Sequence, residues 1–294
     1  MNENRELAIQ TVTKLLAAND KLALVWAEIS GRYLGNALAQ WPERVINVGI
    51  REQLLISVGA GLALDGMRPI MHTFSSFLLE RAFEQIKIGF GHQDLGGVLL
   101  GIGGSFDYAS SGRTHQCPED IALMLTLPGI EIHTPSSKAE TTAAIEKATG
   151  DVGLHYVRIA DQRNSLSPAH PLVHDGNGPT IVACAEMLDP VLAVAELFNA
   201  RVVHFKSSHK TELDQILKLC SGHATIVVEP WLDGSLSPLL RPLFAQPEST
   251  VSFLGITDPE LRRYGTAAEH TRAHGLDAIN LSARISELLS QKLL

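Results

Sequence analysis

Residues 45–64, VINVGIREQLLISVGAGLAL, decide how the chain is read. They open on a short apolar run at 45–48, turn at Gly49, and continue as a helical pattern. Over residues 53–64 that pattern places Leu54, Leu55, Val58 and Leu62 on one face. A strand that runs straight into a helix is the building unit of a parallel sheet. Working outward, the unit recurs. Residues 22–29 form an earlier β-type run, and 69–72, 98–102, 130–133 and 154–159 follow, with helical segments between them. In residues 76–90, Phe77, Phe83, Ile86 and Phe90 recur at helical spacing, and Pro118 suits a first helical position with Glu119 and Asp120 in the first turn.

Residues 161–180, DQRNSLSPAHPLVHDGNGPT, interrupt this rhythm with prolines and glycines and read as a linker. The alternation resumes with strands at 181–184, 202–205, 225–228 and 251–254. Helices are expected over 191–198, 211–219 and 282–293, the last with Ser282 as its N-cap. The expected fold class is α/β, with two domains at 1–160 and 181–294. Each carries a mainly parallel sheet flanked by helices.

A chain of 294 residues, 45% hydrophobic, has material for two such cores. The net charge of -8 argues against the clustered Lys and Arg that nucleic acid requires. No apolar run reaches membrane-spanning length, and the polar start, MNENRELAIQ, lacks the pattern of a signal peptide, so a cytoplasmic location is expected. Cys117, Cys184 and Cys220 are widely spaced and read as reduced, buried thiols. His270 and His274, with Glu269 beside them, lack the HExxH order and a third ligand. They read as a solvated helix face, and no metal ligand is assigned.

Four segments carry candidate chemistry. Glu52 sits where a strand end meets a helix, at the carboxyl edge where open α/β sheets bind ligands. The same position suits a solvated first-turn acid. Phe74 and Phe77, again at a strand end, can wall a flat pocket or fill a core. The loop 103–116, rich in glycine and hydroxyls, ends in Thr114-His115-Gln116, and its histidine titrates near neutrality. Its glycines form neither GxGxxG nor a Walker loop. Arg158 closes the last strand of the first domain, either as a cation for an anionic substrate or as an ordinary surface arginine.

Taken in this order, residues 49–53 (GIREQ), the Phe74/Phe77 pair, Thr114-His115-Gln116 followed by PEDIALM at 118–124, and Arg158 resemble the pyrimidine-binding domain of transketolases. The 1-deoxyxylulose-5-phosphate synthases are similar too. The match runs from about residue 45 to 158. Tyr264-Gly265-Thr266 and Gly275-Leu276-Asp277-Ala278 resemble the family's C-terminal domain more loosely.

The resemblance implies thiamine diphosphate with Mg2+ as cofactor, and transfer of a two-carbon ketol unit between sugars or sugar phosphates. Glu52 would hydrogen-bond N1′ of the cofactor's pyrimidine and so promote its activation. Phe77 would stack on that ring with Phe74 in support, His115 would contact the reacting sugar, and Arg158 would bind a phosphate end. Departures accompany the match. Ser111 stands where the family usually has a substrate-binding aspartate, with Asp107 nearby in sequence. Gly103 replaces a phosphate-binding histidine, and Glu80 a tyrosine. Cofactor chemistry is therefore expected to be retained and substrate recognition altered.

The family's Gly-Asp-Gly run and following asparagine, which hold Mg2+ and diphosphate, do not occur in the sequence. The resemblance then implies a split transferase, active only with an N-terminal transketolase-like subunit that carries the diphosphate-binding domain, in an α2β2 heterotetramer. Two other readings compete. One is the β subunit of a 2-oxoacid dehydrogenase E1 component, and the other is a non-catalytic subunit that keeps the fold.

Overall fold

A computed structural model describes residues 3–161 and 163–291. The chain runs α1 (Glu3–Ala18), β1 (Leu22–Trp26), α2 (Gly31–Gln40), β2 (Val45–Asn47), α3 (Glu52–Leu64) and β3 (Arg68–Phe74). It continues through α4 (Phe83–Ile86), β4 (Gly97–Ile102), α5 (Asp120–Met124), β5 (Glu131–His133), α6 (Lys138–Gly150) and β6 (Leu154–Ile159). The second half holds β7 (Leu172–His174), β8 (Thr180–Cys184), α7 (Leu188–Ala195), β9 (Arg201–Phe205), α8 (Lys210–Cys220) and β10 (Ala224–Leu232). It closes with α9 (Arg241–Phe244), β11 (Thr250–Ile256), α10 (Ala267–Ala273) and α11 (Ala278–Gln291).

Two sheets result, as the alternation requires. The first has the order β2-β1-β3-β4-β6-β5 and is parallel throughout. The second has the order β11-β10-β8-β9-β7 and is parallel except where β7 pairs antiparallel with β9. β1, β4, β6 and β8 are buried along their whole length, which is why they read as unbroken apolar runs. One hydrophobic cluster crosses from the first sheet to the second, joining Leu55, Met71 and Tyr156 to Cys184, Phe205 and Trp231. Among the described residues no helix is long and apolar enough to cross a membrane. The three cysteines are free and buried.

Several elements depart from expectation. The face that α3 buries is Leu55, Ile56, Gly59 and Ala60, while Leu54 points outward at 42% exposed. The buried face forms because α3 lies against β3: a Cβ on Gly59 would stand 2.5 Å from Met71 Sδ. Residues 76–90 are not one helix. Two π-helical turns, Ser76–Glu80 and Lys87–Gly91, flank the single turn of α4. α11 starts four residues before Ser282. Asp277 accepts from the amides of Ile279 and Asn280 there, whereas Ser282 Oγ donates back to Ile279 O from inside the helix. Residues 292 and 293 of the expected final helix lie outside the described residues. β7 forms within the stretch read as linker.

Candidate active site

The carboxyl edge of the first sheet gathers the candidate residues. β2 ends at Asn47, whose side-chain oxygen accepts from the Gly49 amide at 2.9 Å, and Gly49 turns the chain with φ +68°. That turn makes Glu52 the first residue of α3 and folds its side chain inward, 1% exposed. β3 delivers Phe74, and the π-helical turn after it delivers Phe77. π turns insert an extra residue and recur at functional sites. Loop 103–116 leaves β4 and returns His115 to the same place. Ser76 Oγ pins that return by donating to Thr114 O at 3.0 Å.

Three rings converge. Phe74 and Phe77 meet edge to face with centroids 5.8 Å apart, and His115 lies 5.4 Å from Phe74 and 4.9 Å from Phe77. Burial, and next the charge of Arg81, lower the His115 pKa, so its imidazole is neutral at pH 7. Arg81 is the residue that sequence reasoning missed. Its Nη1 donates to Glu52 Oε2 at 2.7 Å, while its guanidinium sits 4.1 Å over the Phe77 ring. Gln53 Nε2 holds the Arg81 carbonyl at 3.1 Å. The signal was available: Arg81 follows Phe77 by four residues, the spacing at which helical side chains meet.

Arg158, expected to bind a phosphate end, lies in the interior of the chain. It is 0% exposed and engages Asp120 through Nε (2.9 Å), Glu186 through Nη1 (3.2 Å) and Ser105 Oγ through Nη2 (2.7 Å). A Cβ on Gly104 would stand 2.1 Å from the guanidinium carbon, so the loop packs directly onto it. In this structure the guanidinium is committed to two carboxylates and a hydroxyl and is shut off from solvent. Arg158 ties the first half of the chain to the second, which supplies Glu186 and Trp231.

The substituted positions also separate. Ser111 is exposed, in a 3-10 turn. Asp107 Oδ2 accepts from the amides of Gly104 and Asp161, both at 2.9 Å, and so closes the loop. Burial, then the charge of Glu186, push its pKa up to about 7. Much of the Glu80 side chain is exposed. Its carboxyl end nevertheless meets the Cys117 thiol and is pushed up to about 7, first by burial and then by Glu119.

The second half of the chain holds the loop in place. Ser105 Oγ donates to Pro230 O, Gln116 Nε2 to Arg263 O at 3.1 Å, and Arg113 Nε to Glu260 at 2.8 Å. His270 and His274, expected on a solvated face, stack on Phe106 at 4.1 and 5.0 Å, and His270 is fully buried. They turn inward because the loop presents an aromatic surface to α10. Glu269 is spent on a capping box with Thr266.

Residues 3–164 match the family described as transketolase, pyrimidine binding domain. The chain is 33% identical, over 95% of its length and 92% of the relative, to an uncharacterized 33.6 kDa protein in the fasciation locus of Rhodococcoides fascians. It is 26% identical to a subunit of the apulose-4-phosphate transketolase of Actinobacillus succinogenes, over 82% of this chain and 83% of that one. It spans 43% of the 1-deoxy-D-xylulose-5-phosphate synthase of Thiobacillus denitrificans, at 28% identity over 85% of its own length. A solved split-gene transketolase, an inactive beta4 tetramer, superposes with TM-score 0.83 over 98% of each chain at 26% identity. The chain therefore belongs to the transketolase family and carries its pyrimidine-binding domain.

Proposed function

We propose that this chain is the pyrimidine-activating subunit of a thiamine-diphosphate-dependent transketolase-like enzyme, which moves a two-carbon ketol unit between sugar substrates. The observation that carries this reading is the pairing of Glu52 and Phe77 around Arg81. A planar nitrogen donor lies on the Phe77 face and bonds to a buried carboxylate. An aminopyrimidine needs the same two contacts, a flat apolar face and an acid at its ring nitrogen. The residues fit that ring once Arg81, whose side chain is 40% exposed, swings outward.

When bound, the cofactor supplies a carbon nucleophile that takes the two-carbon unit from a ketose. Glu52, buried at the start of α3, would hold N1′ of the pyrimidine by a hydrogen bond. Phe77 and Phe74 orient the ring and exclude water. His115, neutral and at the rim, accepts or returns a proton at a sugar hydroxyl. Ser111 and Glu80, where relatives in the family place other side chains, shift recognition toward a non-standard sugar or sugar phosphate.

Diphosphate and Mg2+ are assigned to a partner chain with the diphosphate-binding domain, most simply in an α2β2 assembly. The split-gene transketolase and the apulose-4-phosphate transketolase, each built from separate subunits of which one resembles this chain, support this arrangement. The test is a titration of thiamine diphosphate and Mg2+ into the chain alone and then with that partner. Binding should emerge only in the assembled complex. Tight binding by the lone chain would overturn the assignment.

A further inference from the structure

Away from the carboxyl edge, a second chemical cluster lies where the two sheets meet. Glu131 opens β5 and His155 lies near the start of β6, paired in register, while His133 closes β5. His133 also bridges to Ser207 of the second half, and the Thr134 amide donates to Lys206 O at 2.8 Å. The cluster thus stands on the seam between the halves. It adjoins a cleft of about 190 Å³ whose lining includes His133, Lys147, Ser207 and His209.

The outer partner of His155 fixes where its lone pair points, and that of His133 allows the matching tautomer. His155 Nε2 lies 2.7 Å from Val152 O. A carbonyl only accepts, so that nitrogen carries the hydrogen and the neutral ring leaves a lone pair on Nδ1. His133 Nδ1 lies 3.2 Å from Ser207 Oγ, a hydroxyl that can donate or accept, and when the ring donates there Nε2 keeps a lone pair. The two inner nitrogens face each other at 3.1 Å. Glu131 Oε1 completes the triangle, 3.2 Å from His133 Nε2 and 4.0 Å from His155 Nδ1.

That oxygen is buried and has no hydrogen-bond partner. A single proton shared between the rings satisfies one contact and still leaves the carboxylate oxygen bare. A divalent cation satisfies all three groups. Zinc bonds of about 2.0–2.1 Å in tetrahedral array put neighbouring ligand atoms about 3.3 Å apart, close to two of the three edges seen here, the third being 4.0 Å. Two imidazoles and a carboxylate form a donor set that suits zinc. The neighbouring lysines are already neutralised, Lys147 by Asp151 and Lys206 by Glu140 at 3.9 Å.

We propose that Glu131, His133 and His155 bind one zinc ion, with the fourth position toward the cleft. Glu131 also belongs to a second cluster with Asp151 and His209, whose ligand atoms lie within 4.8 Å of one another. In the proposed site the outer partners Val152 O and Ser207 Oγ hold the metal-binding rings in orientation, as the second shell of a zinc site does.

The test uses the full chain stripped of metal with a chelator that is then removed. Zn2+ alone is titrated by calorimetry, and Co2+ serves as the spectroscopic probe. The expected results are one equivalent of Zn2+ per chain, a raised melting temperature, and the visible bands of four-coordinate Co2+. Glu131→Gln and His155→Gln should each weaken Zn2+ at least tenfold, while His92→Gln, at an exposed position, leaves it unchanged. The Glu131 variant keeps the test decisive if the histidine variant does not fold. No Zn2+ binding by the wild-type chain overturns the proposal, and so does binding that survives both substitutions. No activity is read, so either failure leaves the pyrimidine-site reading untouched.

Discussion

Replacing Arg158 with methionine removes the cation that Asp120 and Glu186 share at the seam. Asp120 keeps two donors, the Tyr156 hydroxyl at 3.0 Å and the Ile121 amide at 2.8 Å. Glu186, 5% exposed, loses its Arg158 donor. Breaking a buried pair by deleting one partner costs about 3–5 kcal/mol, because the remaining charge has no compensation. Against a total stability of about 5–15 kcal/mol, that is a large fraction. In a chain of this size it lowers the melting temperature by roughly 10 °C. Urea denaturation of R158M checks the value. Adding Glu186→Gln removes the stranded charge and should recover stability, with a coupling on the order of 1–3 kcal/mol. If R158M unfolds within about 1 kcal/mol of wild type while the assembled enzyme loses affinity for sugar phosphates, the tie is wrong and Arg158 meets substrate after all.

Three further outcomes are expected. Arg81→Ala clears the face of Phe77, and in the assembled complex thiamine diphosphate should bind about fivefold tighter by calorimetry, since a half-exposed ion pair is worth at most about 1 kcal/mol; weaker binding would show that Arg81 assists the cofactor. Asp107, pushed from 3.8 up to about 7, binds more protons folded than unfolded, so its contribution to stability falls as pH rises through that window. Asp107→Asn keeps an acceptor for Gly104 and Asp161, and urea midpoints should become flatter across the same range; an unchanged slope would place the titration elsewhere. Gly104→Ala drives a methyl group into the Arg158 guanidinium and should destabilise the chain by about 1–3 kcal/mol in thermal melts, where a neutral result would mean that the loop is free to shift.

The fold was legible because parallel strands buried on both faces write themselves as apolar runs. The runs at β4 and β6 match the strands nearly residue for residue. Phe74, Phe77 and His115 converge, and Arg81 links Glu52 to Phe77, because these residues lie at or near strand and helix ends that the pattern marks. Misreadings arise where the deciding partner is remote. Arg158 sits at a strand end, but nothing local says that Glu186, 28 positions on, seals it. His270 and His274 look solvated in sequence because their stacking partner, Phe106, lies far upstream in the site loop. The split of residues 76–90 is hidden because π turns keep an apolar spacing close to that of an α-helix. Leu54 falls on the expected buried face because hydrophobicity alone does not say where Gly59 lets α3 approach β3.

The central claim is that the Glu52 carboxyl group activates the cofactor through its pyrimidine. The direct measurement is the rate of hydrogen–deuterium exchange at the thiazolium C2 of bound thiamine diphosphate, in the chain assembled with its diphosphate-binding partner. Glu52→Gln should slow exchange by about 10²–10⁴-fold while the complex still assembles. An exchange rate equal to that of wild type would contradict the account.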